Sequence, residues 1–191
     1  IIKDKFAIFL IGDVNAYTIR LEPLFVAQLY SVVSLNRKRE KRINIILDEF
    51  ESLAPLNNFS ALLNSSRSLN IKFTLIIKSL IDLERQYGKD NTEVLKYTMG
   101  CIIYLLANDT YTLEEICRLC GNKANGIPLI TPEELKLLQV FEAVVLIPRN
   151  QPIKTKLLAD YNIPWDLDNK QLELFTRKTK EYNIFDFKKH I

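Results

Sequence analysis

Apolar residues along this chain fall into short runs separated by longer segments of helical period, the pattern of strands and helices in turn. Residues 5–11 and 71–77 are near-continuous apolar runs of strand length, and 43–47, 101–106 and 140–147 read as three further strands. From Arg20 the apolar positions Leu21, Leu24, Phe25, Leu29, Val32 and Val33 recur at spacings of three and four. That spacing predicts a helix burying one face and ending in the charged run after Asn36. Shorter helices are predicted around Phe59, Leu62 and Leu63, over 79–87, and through Leu113, Ile116 and Leu119 up to Gly121. Thr131-Pro132-Glu133-Glu134 is the clearest helix start: a threonine cap, proline at the first helical position and a glutamate placed to close a capping box.

Strands that are nearly continuous apolar runs, joined by helices, are expected to be buried on both faces. This argues for an α/β fold with a mainly parallel sheet and helices packed on each side. After Pro152 the pattern weakens, and 165–191 reads as a lysine-rich tail with one amphipathic stretch around Leu172, Leu174 and Phe175. The expected division is a domain over 1–160 followed by a basic tail over 161–191.

Composition narrows the class. A chain of 191 residues, 48% hydrophobic, can bury one core without staples, and no apolar run approaches the roughly 20 residues of a membrane span. A net charge of +3 is too small to argue nucleic-acid binding from bulk charge. The one dense basic run, Arg37-Lys38-Arg39-Glu40-Lys41-Arg42, could meet phosphates or could complement the end of a helix and keep a turn solvated. The 3 cysteines, Cys101, Cys117 and Cys120, are an odd and sparse set that suits a reducing compartment. Cys117 and Cys120 have CxxC spacing but fall in an amphipathic helix with no second ligand pair, which favours core packing over zinc. His190, the single histidine, sits next to the last residue and argues against a Ser-His-Asp or Cys-His catalytic set. No export signal follows Ile1, and a start without methionine suggests a piece of something longer.

The sharpest chemical signal is Ile43-Asn44-Ile45-Ile46-Leu47-Asp48-Glu49, an apolar strand ending in adjacent carboxylates. In P-loop proteins such a strand delivers an aspartate to magnesium while the next glutamate polarises the attacking water. The pair would also sit where open α/β sheets bind ligands, at the carboxyl ends of their strands. Capping of the following helix accounts for the same two residues, and the motif alone does not separate these readings. The companion phosphate loop, G-x-x-x-x-G-K-[ST], is absent: Gly121 and Gly126 have the glycine spacing, but Ile127 and Pro128 follow. A nucleotide could be held only if that loop precedes Ile1.

Residues 45–88 resemble the TraG/TraD-type coupling proteins, hexameric ATPases of conjugation and type IV secretion. The residues that carry the likeness are Leu47-Asp48-Glu49-Phe50, Phe59, Leu62-Leu63, Arg67-Ser68, the strand from Thr74 to Ile77 with Lys78-Ser79, and Tyr87-Gly88. Asn108-Asp109, Gly121, the segment from Ile130 to Leu135 and the strand from Val144 to Ile147 look like the family's C-terminal part, so the match covers roughly 5–158.

The resemblance implies the C-terminal portion of a RecA-like motor domain, with ATP and Mg2+ as cofactors of the intact protein and none expected on this piece. It implies Asp48 as the magnesium ligand, Glu49 as the activator of water, and Arg67 as an arginine offered to a neighbouring subunit's nucleotide. The family's glutamine sensor of the γ-phosphate is Lys78 here, a point charge that can reach a phosphate but cannot report a water through a two-way hydrogen bond. Implied partners are other copies of the chain in a hexameric ring, relaxosome components such as TraM-like proteins, and single-stranded DNA. The phosphate loop, an inserted helical domain and a membrane anchor would all precede this region, on the cytoplasmic side of a bacterial membrane. The alternative is a non-enzymatic docking module with a vestigial nucleotide site.

Overall fold

The structure, a computed structural model, describes residues 7–10, 21–35, 41–56 and 58–164. It divides into two compact units, Ile1–Leu157 and Leu158–Ile191. In the second unit the described residues hold one 3-10 turn, Asp160–Asn162. The amphipathic stretch at 172–175, His190 and most of the tail lie outside the described residues.

The first unit begins with α1 (Leu21–Leu35), which turns Val26 and Val33 into the core and leaves Leu24 and Val32 exposed. Next come β1 (Ile43–Leu47), α2 (Phe59–Ser66), β2 (Ile71–Leu75), α3 (Leu80–Tyr87) and α4 (Lys89–Thr98). β1 and β2 pair in parallel, Ile43 opposite Ile71 and Leu47 opposite Leu75. The first core gathers Ile45, Leu47, Phe50, Phe59, Leu63 and Leu95 among others. Phe50, fully buried, stacks on Tyr87 with ring centroids 4.8 Å apart and tilts against Phe59 at 5.1 Å.

The second half contains β3 (Ile102–Tyr104), α5 (Thr110–Cys120), α6 (Pro132–Lys136), β4 (Glu142–Leu146) and β5 (Ile153–Lys156). Its core joins Tyr104, Leu113, Ile116, Leu135 and Val144. Asp109 caps α5 by accepting from the Thr112 amide at 2.7 Å, and Gly121 closes it at φ 79°, a conformation glycine adopts without cost. The capping box at Thr131 forms in full: its hydroxyl accepts from Glu134 N at 3.2 Å while the Glu134 carboxylate accepts from Thr131 N at 2.8 Å. Cys117 and Cys120 are buried in α5, where burial pushes both thiols up, Cys120 to about 11.

Polar bridges join the halves. Thr112 Oγ1 accepts from the first amide of α3, Leu80 N, at 3.0 Å, and the Tyr111 hydroxyl donates to Glu84. Lys96 on α4 donates to Glu115 on α5 at 2.5 Å, with Lys96 also paired to Glu93 and Glu115 to Arg118.

The α/β class and the parallel pairing are as the sequence led one to expect, but the sheet is small. β3 and β4, expected to extend it, instead pair antiparallel, and β5 adds a third antiparallel strand after Pro152. Burial along β1 alternates, Ile45 and Leu47 inward and Ile46 65% exposed, so the described residues cover one face of the parallel pair rather than both. The strand expected over 5–11 is not seen in its described part: residues 7–10 carry no strand, and Phe9 is 83% exposed. An apolar run needs a neighbouring strand to pair with, and the run itself does not say which.

Candidate functional site at the end of the first strand

Two backbone hydrogen bonds across the end of the parallel pair shape the site. Ile76 N donates to Leu47 O at 2.9 Å, and Phe50 N donates to Ile76 O at 3.0 Å. Asp48 and Glu49 lie between these two anchors and bulge outward as a turn. Glu49 adopts a left-handed conformation, φ 47° and ψ 45°, which a non-glycine residue adopts at a cost of roughly 1 kcal/mol or more. The buried Phe50 ring beyond it, locked between Tyr87 and Phe59, holds the turn in place. Both carboxylates are exposed at the carboxyl end of β1.

Lys78, two residues beyond the anchored Ile76, reaches back across this turn. Its Nζ donates to Glu49 Oε1 at 2.7 Å. This hydrogen bond and the charge of Glu49 raise the ammonium's pKa against the opposing effect of desolvation, with lesser help from Glu51 and Asp48. Glu51 fixes the lysine's backbone: the carboxylate is buried, and its Oε1 accepts from Lys78 N at 3.3 Å. Sequence reasoning passed over Glu51, although a third carboxylate in Asp-Glu-Phe-Glu was the visible signal.

Asp48 Oδ1 accepts from Glu49 N at 3.0 Å; the carboxylate is exposed, and its second oxygen has no hydrogen bond among the described residues. Among the described residues no cluster of three or more His, Cys, Asp or Glu could hold a metal. One open carboxylate oxygen fits magnesium, which keeps several waters and is bound by one or two carboxylates plus phosphate oxygens.

The structure therefore brings Asp48, Glu49 and Lys78 together. Arg67 it sets apart. It opens the 3-10 turn Arg67–Leu69, whose end, Asn70 at φ 52°, leads directly into β2. That is the amino end of the strand pair, and five strand residues, about 16 Å, separate it from the carboxylates. On the other side of Lys78 a cleft of about 650 Å³ runs between the start of α3 and the start of α5, with Asp82, Arg85, Asn108 and Asp109 in its walls. Asp82 and Arg85 neutralise each other at 3.0 Å. The glycine-spaced segment 121–126 follows a helix rather than a strand and closes as a tight loop, Leu129 N donating to Gly121 O at 2.9 Å, unlike a strand-to-helix phosphate loop.

Residues 42–127 match the family described as the TraM recognition site of TraD and TraG. No curated protein is significantly similar to the chain in sequence. Among solved structures, the bacterial conjugative coupling protein TrwBdeltaN70 in its unbound form aligns with a TM-score of 0.60 at 20% identity, over 72% of this chain and 37% of its own. The plasmid coupling protein TrwB in complex with ADP and Mg2+ aligns with a TM-score of 0.62 at 21% identity, over 72% and 36%. VirB4 of Thermoanaerobacter pseudethanolicus aligns at 0.55 and 19%, over 78% and 40%. These similarities establish a shared fold, and the chain spans little more than a third of the length of the TrwB structures it matches.

Proposed function

We propose that this chain, of the TraG/TraD type across residues 42–127, is the C-terminal part of the motor domain of a coupling ATPase. That ATPase moves single-stranded DNA with its relaxase, or protein substrates, toward a type IV secretion channel. The observation that carries the reading is the exposed Asp48-Glu49 turn at the end of a parallel strand, in a fold shared with a coupling protein solved with ADP and Mg2+. A phosphate loop preceding Ile1 would complete the site, and residues 161–191 would form a basic tail.

In that setting Asp48 offers one carboxylate oxygen to magnesium, which when bound neutralises phosphate charge. Glu49 accepts a proton from the attacking water, Lys78 contacts phosphate once it leaves Glu49, and Arg67 serves a neighbouring copy in a hexameric ring. The surface over 42–127 receives a TraM-like relaxosome component. Among the described residues no helix is long and apolar enough to cross a membrane; an anchor upstream would hold the motor at the cytoplasmic side of the inner membrane.

The test uses the full-length protein: Glu49→Gln should abolish ATP turnover, by about 10²-fold or more, while nucleotide binding is retained. Unchanged turnover would refute the role of Glu49. One observation favours a second reading, a docking module with a vestigial site: Lys78 occupies Glu49. That reading requires full-length protein that neither binds nor hydrolyses ATP yet still captures a TraM-like partner.

A further inference from the structure

At the amino ends of β1 and β2, opposite the carboxylate end, the chain forms a second cleft of about 350 Å³. Arg42, Arg67 and Lys72 stand in its walls with Ser66, Asn70 and Thr98, and among the described residues no carboxylate lines it. None of the three cations forms an ion pair among the described residues. The cleft beside Lys78 is of mixed charge, since Asp82 and Asp109 line it together with Lys78 and Arg85.

Backbone pairing brings the three residues to the same end of the strand pair. Ile43 N donates to Asn70 O at 3.1 Å, which sets Arg42 beside the turn that Arg67 opens. Lys72 follows one residue into β2, opposite Asn44. Cations lining one concavity attract a polyanion. Two guanidinium forks and a lysine point charge suit several phosphoryl oxygens at once. The basic run from Arg37 ends at Arg42, so its last charge lies in this cleft.

We infer that Arg42, Arg67 and Lys72 form a single polyphosphate-binding site, and that its ligand is the phosphate chain of a nucleotide carried by an adjacent copy of the chain. Arg67 then acts with two further cations rather than alone. The choice of a nucleotide over a nucleic-acid backbone rests on the motor reading above; the anion site itself does not.

The test titrates this chain at low ionic strength with inorganic tripolyphosphate and, in a parallel arm, with a single-stranded thymidine oligonucleotide, both followed by amide NMR. Saturable tripolyphosphate shifts at Asn70, Lys72 and Thr98 are expected. Arg42→Gln, Arg67→Gln and Lys72→Gln should each weaken binding about three- to fivefold, the scale of an exposed charge pair. Arg42→Lys and Lys72→Arg, which keep the charge, should retain most of it, separating lost charge from lost fold. Absence of saturable shifts overturns the site, as does equal weakening by Lys123→Gln or Lys136→Gln, lysines outside the cleft. Binding of the oligonucleotide alone, sensitive to the same three residues, overturns the nucleotide as ligand. No turnover is measured, so a negative result leaves the role of Glu49 standing, and failure of Glu49→Gln in the full-length protein leaves the anion site standing.

Discussion

Lys78 donates from Nζ to Glu49 Oε1 at 2.7 Å, joining residues 29 apart in sequence across the end of the parallel pair. The lysine thereby holds one oxygen of the carboxylate that would take a proton from water. Both side chains are more than half exposed, so the pair is weak and can exchange for a phosphate contact.

Replacing Lys78 by Gln should therefore change thermal stability by less than about 1 kcal/mol. In the full-length assembly the same substitution releases Glu49 and should raise steady ATP turnover by up to about fivefold, the rate equivalent of that energy. A loss of turnover would mean that the ammonium is needed on the nucleotide more than it hinders the carboxylate.

Arg67 stands at the opposite end of the strands from Asp48 and Glu49, so its contribution should exist only across a subunit boundary. Arg67→Ala in the full-length ring should lower turnover by about 10³-fold without destabilising the fold. Mixed rings of Arg67→Ala and Glu49→Gln subunits contain some interfaces with both residues intact and should recover partial activity. No recovery despite proven co-assembly would mean that Arg67 acts within its own subunit or is structural.

The buried bridge between α4 and α5 makes a pH prediction. Hydrogen bonds from Arg118 and then Lys96 hold the Glu115 carboxyl below its ordinary value of 4.5, against the opposing effect of burial. A depressed carboxyl stabilises the fold above its unfolded value and loses that contribution as pH falls through the folded one, so thermal stability should drop in acid below about 4.5. Burial alone would lower Lys96, but Glu115 and Glu93 outweigh it and raise its value above 10.5. Its contribution is complete below that and declines only as pH rises through the folded value. Glu115→Gln should cost about 3 kcal/mol at neutral pH, because it strands part of a buried pair, and should flatten the acid limb of a melting-temperature profile.

Thr131 anchors α6 through both hydrogen bonds of its capping box. Thr131→Ala should cost about 1 kcal/mol in chemical denaturation, whereas Thr131→Ser should be nearly neutral. Equal costs would show that the methyl group matters rather than the cap.

How much was legible follows from what each element buries. α5 could be read because Leu113, Ile116 and Cys120 form a continuous buried stripe, and α6 because its cap and proline are local chemistry. α4 was not foreseen: it buries Thr92, Leu95 and the stem of Lys96, and a lysine satisfied by Glu115 19 residues away looks like a surface residue in sequence. β5 was missed because an edge strand of Ile-Lys-Thr-Lys is held mainly by main-chain pairing to β4, with Ile153 48% exposed.

At the site the division is the same. Local sequence determined that an apolar strand would end in Asp48 and Glu49, because strand propensity and the placement of charge act over a few residues. Tertiary structure alone decided that Ile76 would pin Leu47 and Phe50, and so push Glu49 into a left-handed turn under Lys78. It also decided that Arg42, Arg67 and Lys72 would face one cleft, and that β3 and β4 would run antiparallel. Each depends on which strand lies beside which and in what direction, a choice made by burial and main-chain pairing between distant segments.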